Sequence, residues 1–367
     1  MGSFHEEVKS IQLETTSRCN LNCLTCLKPA YKNSWQDRDM GQDLFDHILT
    51  QLPPGVSVHL QGWGEPLLHQ DLFDHVAKLK ALGQTVSATT NGTVMDESLA
   101  AALVYSGLDG LTFSMAGGTD ATQDFLRGAE SLFHLRRAIR IFIAARESAN
   151  RRLPRVAVSY LLTPESVPEL PDAISWCRKN GVDVLVTVHL TQAGCLQQQK
   201  LQFMLSKKQA RRYTFLRIRT QLRTLFSPMR LIVKEFHATL TAMCDKNPLS
   251  SLFINAAGDV SPCVFLNPPI PEGVTWYHSG RVENQSSLIF GNVYDTSLSQ
   301  IWQNSEYQEF RGTYRERKEY HDQKLAGIGC SLADSARLDS AVKSIQQYLS
   351  SHPAPEQCRL CAKLEGY

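Results

Sequence analysis

The sequence predicts an α/β protein, a partial (β/α)6 parallel barrel followed by a small C-terminal α+β appendage. Three observations carry this. Over the first ~190 residues, short runs rich in β-formers alternate with longer stretches whose apolar residues recur at helical spacing. After Gln192 the alternation stops and a Gln-rich, then strongly basic, stretch begins. Beyond that stretch, a hairpin pattern and a single helical pattern are interspersed with cysteines.

The expected strands are 10–16, 56–61, 84–90, 110–115, 155–162 and 182–189, and the expected helices between them are 42–51, 72–82, 96–106, 131–148 and 166–179. Successive βα units imply parallel pairing through right-handed crossovers. Six are too few to close an eight-stranded barrel, so a curved open one is expected, with its site at the carboxyl ends of the strands. The segment 197–234 carries ten Lys or Arg and no acidic residue. Its apolar positions Phe203, Leu205, Tyr213, Phe215, Ile218, Leu222 and Phe226 predict a connecting helix with a basic outer face. Further on, 252–255 and 259–263 flank Ala256-Ala257-Gly258 as a hairpin, and 297–311 reads as a helix with Leu298, Ile301, Trp302 and Phe310 on one face. The expected division is a core over 1–195, a basic helical connector over 196–243 and the appendage over 244–367.

With 43% hydrophobic and 20% charged residues in 367, the chain can bury a substantial core. A net charge of +2 gives no concentrated basic face for a phosphate backbone, so nucleic acid is not an expected partner. The start, MGSFHEEVKS, lacks the succession of a signal peptide, and no apolar run approaches the ~18 residues that span a bilayer. Neither membrane nor secretion is expected, and the cytoplasm is the expected compartment. Ten cysteines in a reducing compartment read as metal ligands rather than as a disulfide framework.

Cys19, Cys23 and Cys26 form C-x3-C-x2-C on the loop leaving the first strand. Three thiolates fit a 4Fe-4S cluster and leave one iron open to a ligand. A zinc site would want a fourth ligand, for which only His5 and His59 stand early in the chain. The motif resembles that of the radical S-adenosylmethionine (SAM) superfamily. Gln61-Gly62-Trp63-Gly64-Glu65-Pro66, closing the second strand, is similar to that superfamily's Gly-Gly-Glu-Pro motif. The resemblance implies that Gly62, Gly64, Glu65 and Pro66 bind the methionine end of SAM. It further implies that Asn91, Ser114 and Arg127, at or after later strand ends, surround the methionine and ribose. Thr25 stands where these enzymes often carry a large apolar or aromatic residue beside the adenine.

Cys244 is followed by thirteen residues, Gly258, four residues and Cys263, and much later by Cys358 and Cys361 as C-x2-C. This resembles the auxiliary-cluster appendage called SPASM or twitch, and implies one auxiliary 4Fe-4S cluster on Cys244, Cys263, Cys358 and Cys361. A four-thiolate zinc ribbon and the use of Cys330 in place of one of the four are the alternatives. Cys177 and Cys195 read as ordinary thiols, and His59, His69 and His189 as hydrogen-bonding groups near a cavity.

The expected activity is reductive cleavage of SAM to a 5'-deoxyadenosyl radical and oxidation of a small molecule or cofactor precursor. A flavodoxin or ferredoxin is the expected reductant. The text GWGEP, VSPCVFLNPP and CRLCAKLEGY looks most like the cofactor-modifying proteins of tungsten aldehyde oxidoreductases. A peptide maturase and a non-catalytic iron–sulfur carrier are the rival readings. About ten residues before the first strand leave no expected leader-binding domain, which favours the small substrate. No catalytic side chain is assigned by the sequence.

Overall fold

The computed structural model describes residues 3–222, 227–278, 280–329 and 334–367. Seven parallel strands follow one another in chain order: β1 (Ser10–Leu13), β2 (Ser57–Leu60), β3 (Thr85–Thr90), β4 (Gly110–Met115), β5 (Arg155–Leu162), β6 (Val184–His189) and β7 (Arg230–Ile232). The seventh strand was not expected. It is three residues long, emerges from the basic stretch, and pairs with Val184–Val186 of β6.

β1 to β4, β6 and the first half of β5 alternate between buried and accessible residues. Ile11 and Leu13, Val58 and Leu60, Val86 and Ala88, Leu111 and Phe113, and Val156 and Val158 are buried in one core with the covering helices. The helix Ser131–Ser148 shows why: Leu132, Leu135, Ile139, Phe142 and Ile143 recur at helical spacing and are buried. Residues on the other strand face stay partly accessible, among them Gln12, His59, Ser87, Thr89, Thr112, Ser114 and Ser159. The barrel thus has an apolar outside under helices and a concave face lined with amides, hydroxyls and one imidazole.

The appendage extends the same sheet. β8 (Ser251–Ile254) pairs in parallel with β1 on the edge opposite β2, Ser10 facing Ser251 and Leu13 facing Ile254. β9 (Asp259–Ser261) returns antiparallel to β8. The turn between them holds Gly258 at φ +89°, a left-handed conformation open to glycine. Asn255 Oδ1 accepts the Ala257 and Asp259 N–H groups there, each at 2.9 Å. β10 (Val274–His278) and β11 (Arg281–Gln285) make a separate hairpin, and β12 (Gly291–Asn292) completes the ten-stranded sheet beside β9.

Two expectations are corrected. The helix expected over 297–311 is two helices, Leu298–Gln303 and Ser305–Leu325. Asn304 between them is extended, and its Oδ1 caps the second by accepting the Tyr307 N–H at 2.7 Å. The basic connector is no single helix. It is built of Leu196–Lys200, Lys207–Ala210 and Thr214–Leu222, followed by β7. Phe203 is buried in the core, whereas Phe215, Ile218 and Leu222 are exposed. Phe226 and Cys330 lie outside the described residues. Among the described residues, no helix is long and apolar enough to cross a membrane.

Candidate active site

The loop leaving β1 carries Cys19, Cys23 and Cys26 at the carboxyl end of the barrel, and the turn Cys26 N–H to Cys23 O (2.9 Å) folds the last two together. The Leu21 N–H donates to the Cys19 sulfur and the Lys28 N–H to the Cys26 sulfur. Burial pushes the Cys19 thiol up, with Glu65 and Cys23 raising it further, and pushes the Cys26 thiol up to about 12, with Cys23 and Cys19 raising it further. As bare thiols these groups hold their protons; a bound cation removes the penalty on the thiolates.

The segment 61–66 is laid directly on this loop. The Glu65 N–H donates to Arg18 O at 2.7 Å. A Cβ on Gly64 would stand 2.3 Å from Thr16 O, and one on Gly62 would stand 2.2 Å from Glu14 Oε1. Both glycines are therefore demanded by the cysteine loop and by Glu14, which themselves fill the space a side chain would need. Pro66 opens the short 3-10 turn Pro66–Leu68, capped by Glu65, whose carboxylate accepts the Leu67 N–H.

Glu65 is buried, and its Oε2 accepts the Asn91 N–H at 2.7 Å. Burial raises its carboxyl to about 7 against these hydrogen bonds and the nearby Arg127. Asn91 Nδ2 reaches Asn20 Oδ1 at 3.0 Å and the Cys19 sulfur at 4.0 Å. Arg127 ends the helix Asp120–Arg127 and acts electrostatically on both Cys26 and Glu65, while its buried Nε has no partner. Ser114 stands on the concave face with Ser159 opposite it on β5. Cys19, Cys23, Cys26, Glu65, Asn91 and Arg127 thus face one place at the strand ends. Its orphaned guanidinium nitrogen and carboxyl group fit a ligand bearing both a carboxylate and an ammonium, as SAM does.

The second thiol group lies at the β8–β9 hairpin. Cys244, Cys263, Cys358 and Cys361 act on one another electrostatically, and all are raised by burial, Cys244 to about 11 and Cys361 to about 12. Backbone N–H groups of Lys246, Phe265, Leu266 and Lys363 donate to three of these sulfurs, and buried Tyr314 hydrogen-bonds to the fourth, Cys358. Such donors to sulfur favour thiolate ligation. Among the described residues, no three Cys, His, Asp or Glu side chains close on a point tightly enough for one metal ion, whereas a cluster spreads its thiolates over several irons.

Sequence reasoning did not find Glu14, Gln12, Lys246 or Tyr314. Glu14 is buried at the end of β1; its Oε1 accepts the Trp63 N–H at 2.7 Å and its Oε2 the Ala256 N–H at 3.2 Å, tying the cysteine side of the barrel to the appendage. Of the three histidines, only His59 is on the concave face, with Nδ1 at 2.8 Å from Ser87 Oγ and Nε2 at 3.0 Å from Gln61 Oε1 and Thr89 Oγ1. His69 and His189 are packed against backbone carbonyls of Met40, Phe203 and Glu235. Cys177 is fully buried in the helix Leu170–Lys179, and Cys195 precedes Leu196–Lys200.

Residues 13–177 match the radical SAM superfamily, and residues 244–326 match the SPASM iron–sulfur cluster-binding domain. Among curated proteins, the tungsten-containing aldehyde ferredoxin oxidoreductase cofactor-modifying protein of Pyrococcus furiosus is 26% identical over 83% of this chain and 83% of its own length. The PqqA peptide cyclase of Xanthomonas campestris is 27% identical over 83% of this chain and 76% of its own. In fold, the chain is similar to anSMEcpe with bound AdoMet and a peptide (TM-score 0.61, 17% identity, 93% of this chain and 97% of that one). It is similar also to Streptococcus suis SuiB bound to S-adenosylmethionine (TM-score 0.61, 14% identity, 84% and 68%). Fold, paired thiol groups and sequence relatives agree: the chain is an enzyme that carries a radical SAM domain over residues 13–177 and an iron–sulfur cluster-binding SPASM domain over residues 244–326.

Proposed function

We propose that this chain oxidises a small polar molecule or cofactor precursor held in the barrel lumen, and that SAM is cleaved at the loop of Cys19, Cys23 and Cys26. When bound, the clusters and SAM supply one-electron reduction, a 5'-deoxyadenosyl radical and an electron acceptor. Cys19, Cys23 and Cys26 hold the cleavage cluster, and Cys244, Cys263, Cys358 and Cys361 hold an auxiliary one. Glu65 and Asn91 receive the methionine ammonium, Gly62, Gly64 and Pro66 shape the loop that carries Glu65, and Ser114 and Arg127 hold the carboxylate and ribose. Lys28, whose ammonium donates to Cys19 O at 2.9 Å, fixes the shape of the cysteine loop.

One observation carries the substrate class. The concave face of the barrel presents Gln12, His59, Ser87, Thr89, Thr112, Ser114 and Ser159. Such a wall offers hydrogen bonds and little apolar contact, so it selects a polar molecule. Burial holds His59 down to about 4, and Gln61 Oε1 can only accept, so a neutral His59 donates from Nε2 and accepts from Ser87 at Nδ1. It orients ligands without changing charge.

A flavodoxin or ferredoxin in the cytoplasm is the proposed electron source. The likeness to PqqA peptide cyclase favours a second reading, a peptide substrate. Anaerobic reconstitution, dithionite and an assay for 5'-deoxyadenosine test the activity. Absence of 5'-deoxyadenosine from fully loaded protein defeats both readings. Deuterium transfer into 5'-deoxyadenosine from a deuterated peptide, with none from small-molecule pools, selects the second.

A further inference from the structure

Three of the four thiols beside the β8–β9 hairpin are held by one repeated piece of local structure. Cys244, Cys263 and Cys361 each open a tight turn, closed by the N–H of Asn247, Leu266 and Leu364 on the cysteine carbonyl at 3.1 Å in every case. In each turn the N–H of the residue two places after the cysteine donates to its sulfur. That residue is Lys246 in the first turn, Phe265 in the second and Lys363 in the third. Their side chains meet. The Phe265 ring stands 5.9 Å from the Lys246 ammonium and 5.9 Å from that of Lys363, within reach of a cation–π contact. The same turn is thus used three times, and in two of them the residue that donates to sulfur is also a cation.

The ammoniums act on the sulfurs. Lys246 and Lys363 both act on Cys263, and Lys363 acts on Cys244 and Cys361 as well. Lys246 is steadied by Gln12 Oε1, a neutral acceptor, at 3.2 Å, and Gln12 by Gln61 O at 3.1 Å. Lys363 pairs with Asp245 at 2.8 Å, but Asp245, which also acts on Cys244, is shared with Lys234 at 3.2 Å. Lys234, Lys246 and Lys363 therefore outnumber Asp245 by two. On the Cys358 side stands the buried Arg317, whose guanidinium donates to the carbonyls of Thr241, Ala242 and His352. Four thiolates are the counter-charge that this surplus of cations meets. The loop of Cys19, Cys23 and Cys26 is a contrast. Cys26 and Lys28 repeat the spacing and the N–H to sulfur, yet the Lys28 ammonium is used on Cys19 O at 2.9 Å and on Asp37 at 3.3 Å.

An iron–sulfur cluster on four thiolates is negatively charged and becomes more so on reduction, so fixed cations and N–H donors beside its sulfurs favour the reduced form. We propose that Lys246 and Lys363, seated on Phe265, are positioning residues that raise the reduction potential of the auxiliary cluster, the direction an electron acceptor requires. The inference rests on the reading of Cys244, Cys263, Cys358 and Cys361 as cluster ligands and gives their surroundings a redox task.

Redox titration of the reconstituted holoenzyme, read by electron paramagnetic resonance, tests the proposal, and the same titration of protein with Cys19, Cys23 and Cys26 exchanged for Ala assigns the auxiliary signal. Lys246→Met and Lys363→Met should each disfavour the reduced form about tenfold, a downward shift of about 59 mV for a one-electron couple. Lys246→Arg and Lys363→Arg keep the charge and should stay near the wild-type potential. The sign is diagnostic, because water admitted by loosened packing stabilises the more negative form and moves the potential upward. Asp245→Asn, isosteric and at an exposed position, should favour the reduced form severalfold, and it decides the matter where a lysine variant loses iron. Unmoved potentials in the Met variants, or no upward shift in Asp245→Asn, overturn the proposal and leave the cluster assignment intact. Zinc in place of iron at the four thiols overturns both.

Discussion

Glu14 and Glu65 are two buried carboxyls, one on the strand end that leads into the cysteine loop and one on the segment hydrogen-bonded to it, and they do different things. Glu14 bridges Trp63 and Ala256 by its two oxygens, and burial raises it from 4.5 to about 7. A raised carboxyl binds more protons folded than unfolded between these values, so stability falls as pH rises from 4.5 through about 7 and is level above. The contribution is about 3 kcal/mol at most. Urea midpoints measured from pH 4.5 to 8 should show Glu14→Gln with a shallower decline than wild type; an unchanged slope would mean that Glu14 stays ionised. For Glu65→Ala, SAM affinity should drop at least about tenfold while iron content stays level, as read by equilibrium binding and iron assay; iron loss would make Glu65 structural. His75 poses a third case. It is fully buried, stacked on Phe45 at 3.7 Å, and neither ring nitrogen has a partner. Replacing it by Phe removes two unsatisfied polar atoms at nearly constant shape, and a gain of about 1 kcal/mol in chemical denaturation is expected. Its ring is held down to about 4, so the advantage of the variant should widen as pH falls below 6.5 and His75 is pressed to take up a proton.

Elements with a strong period were legible in the sequence. β4 and β5 and the helix Ser131–Ser148 have the bounds that alternation and helical spacing predict. β7 was not legible, because three residues among arginines and lysines carry no period and their strand character comes from the exposed edge of β6. The break at Asn304 was legible in principle, since Asn before Ser-Glu-Tyr is an N-cap signal, but the apolar face of Leu298, Ile301 and Trp302 runs on visually into Phe310. In the site, cysteine spacing and the 61–66 segment were readable because their chemistry is local. Glu14 and Lys246 were not, since their partners Ala256 and Gln12 stand more than 230 residues away. The C-terminal turn is an element whose role is testable alone. Thr239 and Thr241 N–H groups donate to Glu365 O and Leu364 O at 2.7 and 2.9 Å, so the end of the chain is stitched to the segment before Cys244. Removing 358–367 deletes both the stitches and two thiols. Iron counts and Mössbauer spectra should then show one 4Fe-4S cluster, the one at the cysteine loop; two intact clusters would exclude the proposed auxiliary ligands.

At the scale of the molecule, the two thiol groups are separate assemblies joined by one sheet. Exchanging Cys19, Cys23 and Cys26 together for Ala should remove about half the iron and all 5'-deoxyadenosine formation, and leave the electron paramagnetic resonance signal of the other cluster. Persistent 5'-deoxyadenosine in that variant is incompatible with the assignment. The sheet itself has a consequence in time. β1 is paired on one side with β2 and on the other with β8, whose first residue follows that of β1 by roughly 240 positions. During synthesis the barrel strands leave the ribosome long before Ser251–Ile254 does, and through that interval one side of β1 offers unpaired N–H and C=O groups to any passing strand. A chain ending at 243 keeps that interval open for good: it would carry every residue of the proposed SAM site and still present a raw sheet edge where its first strand should be covered.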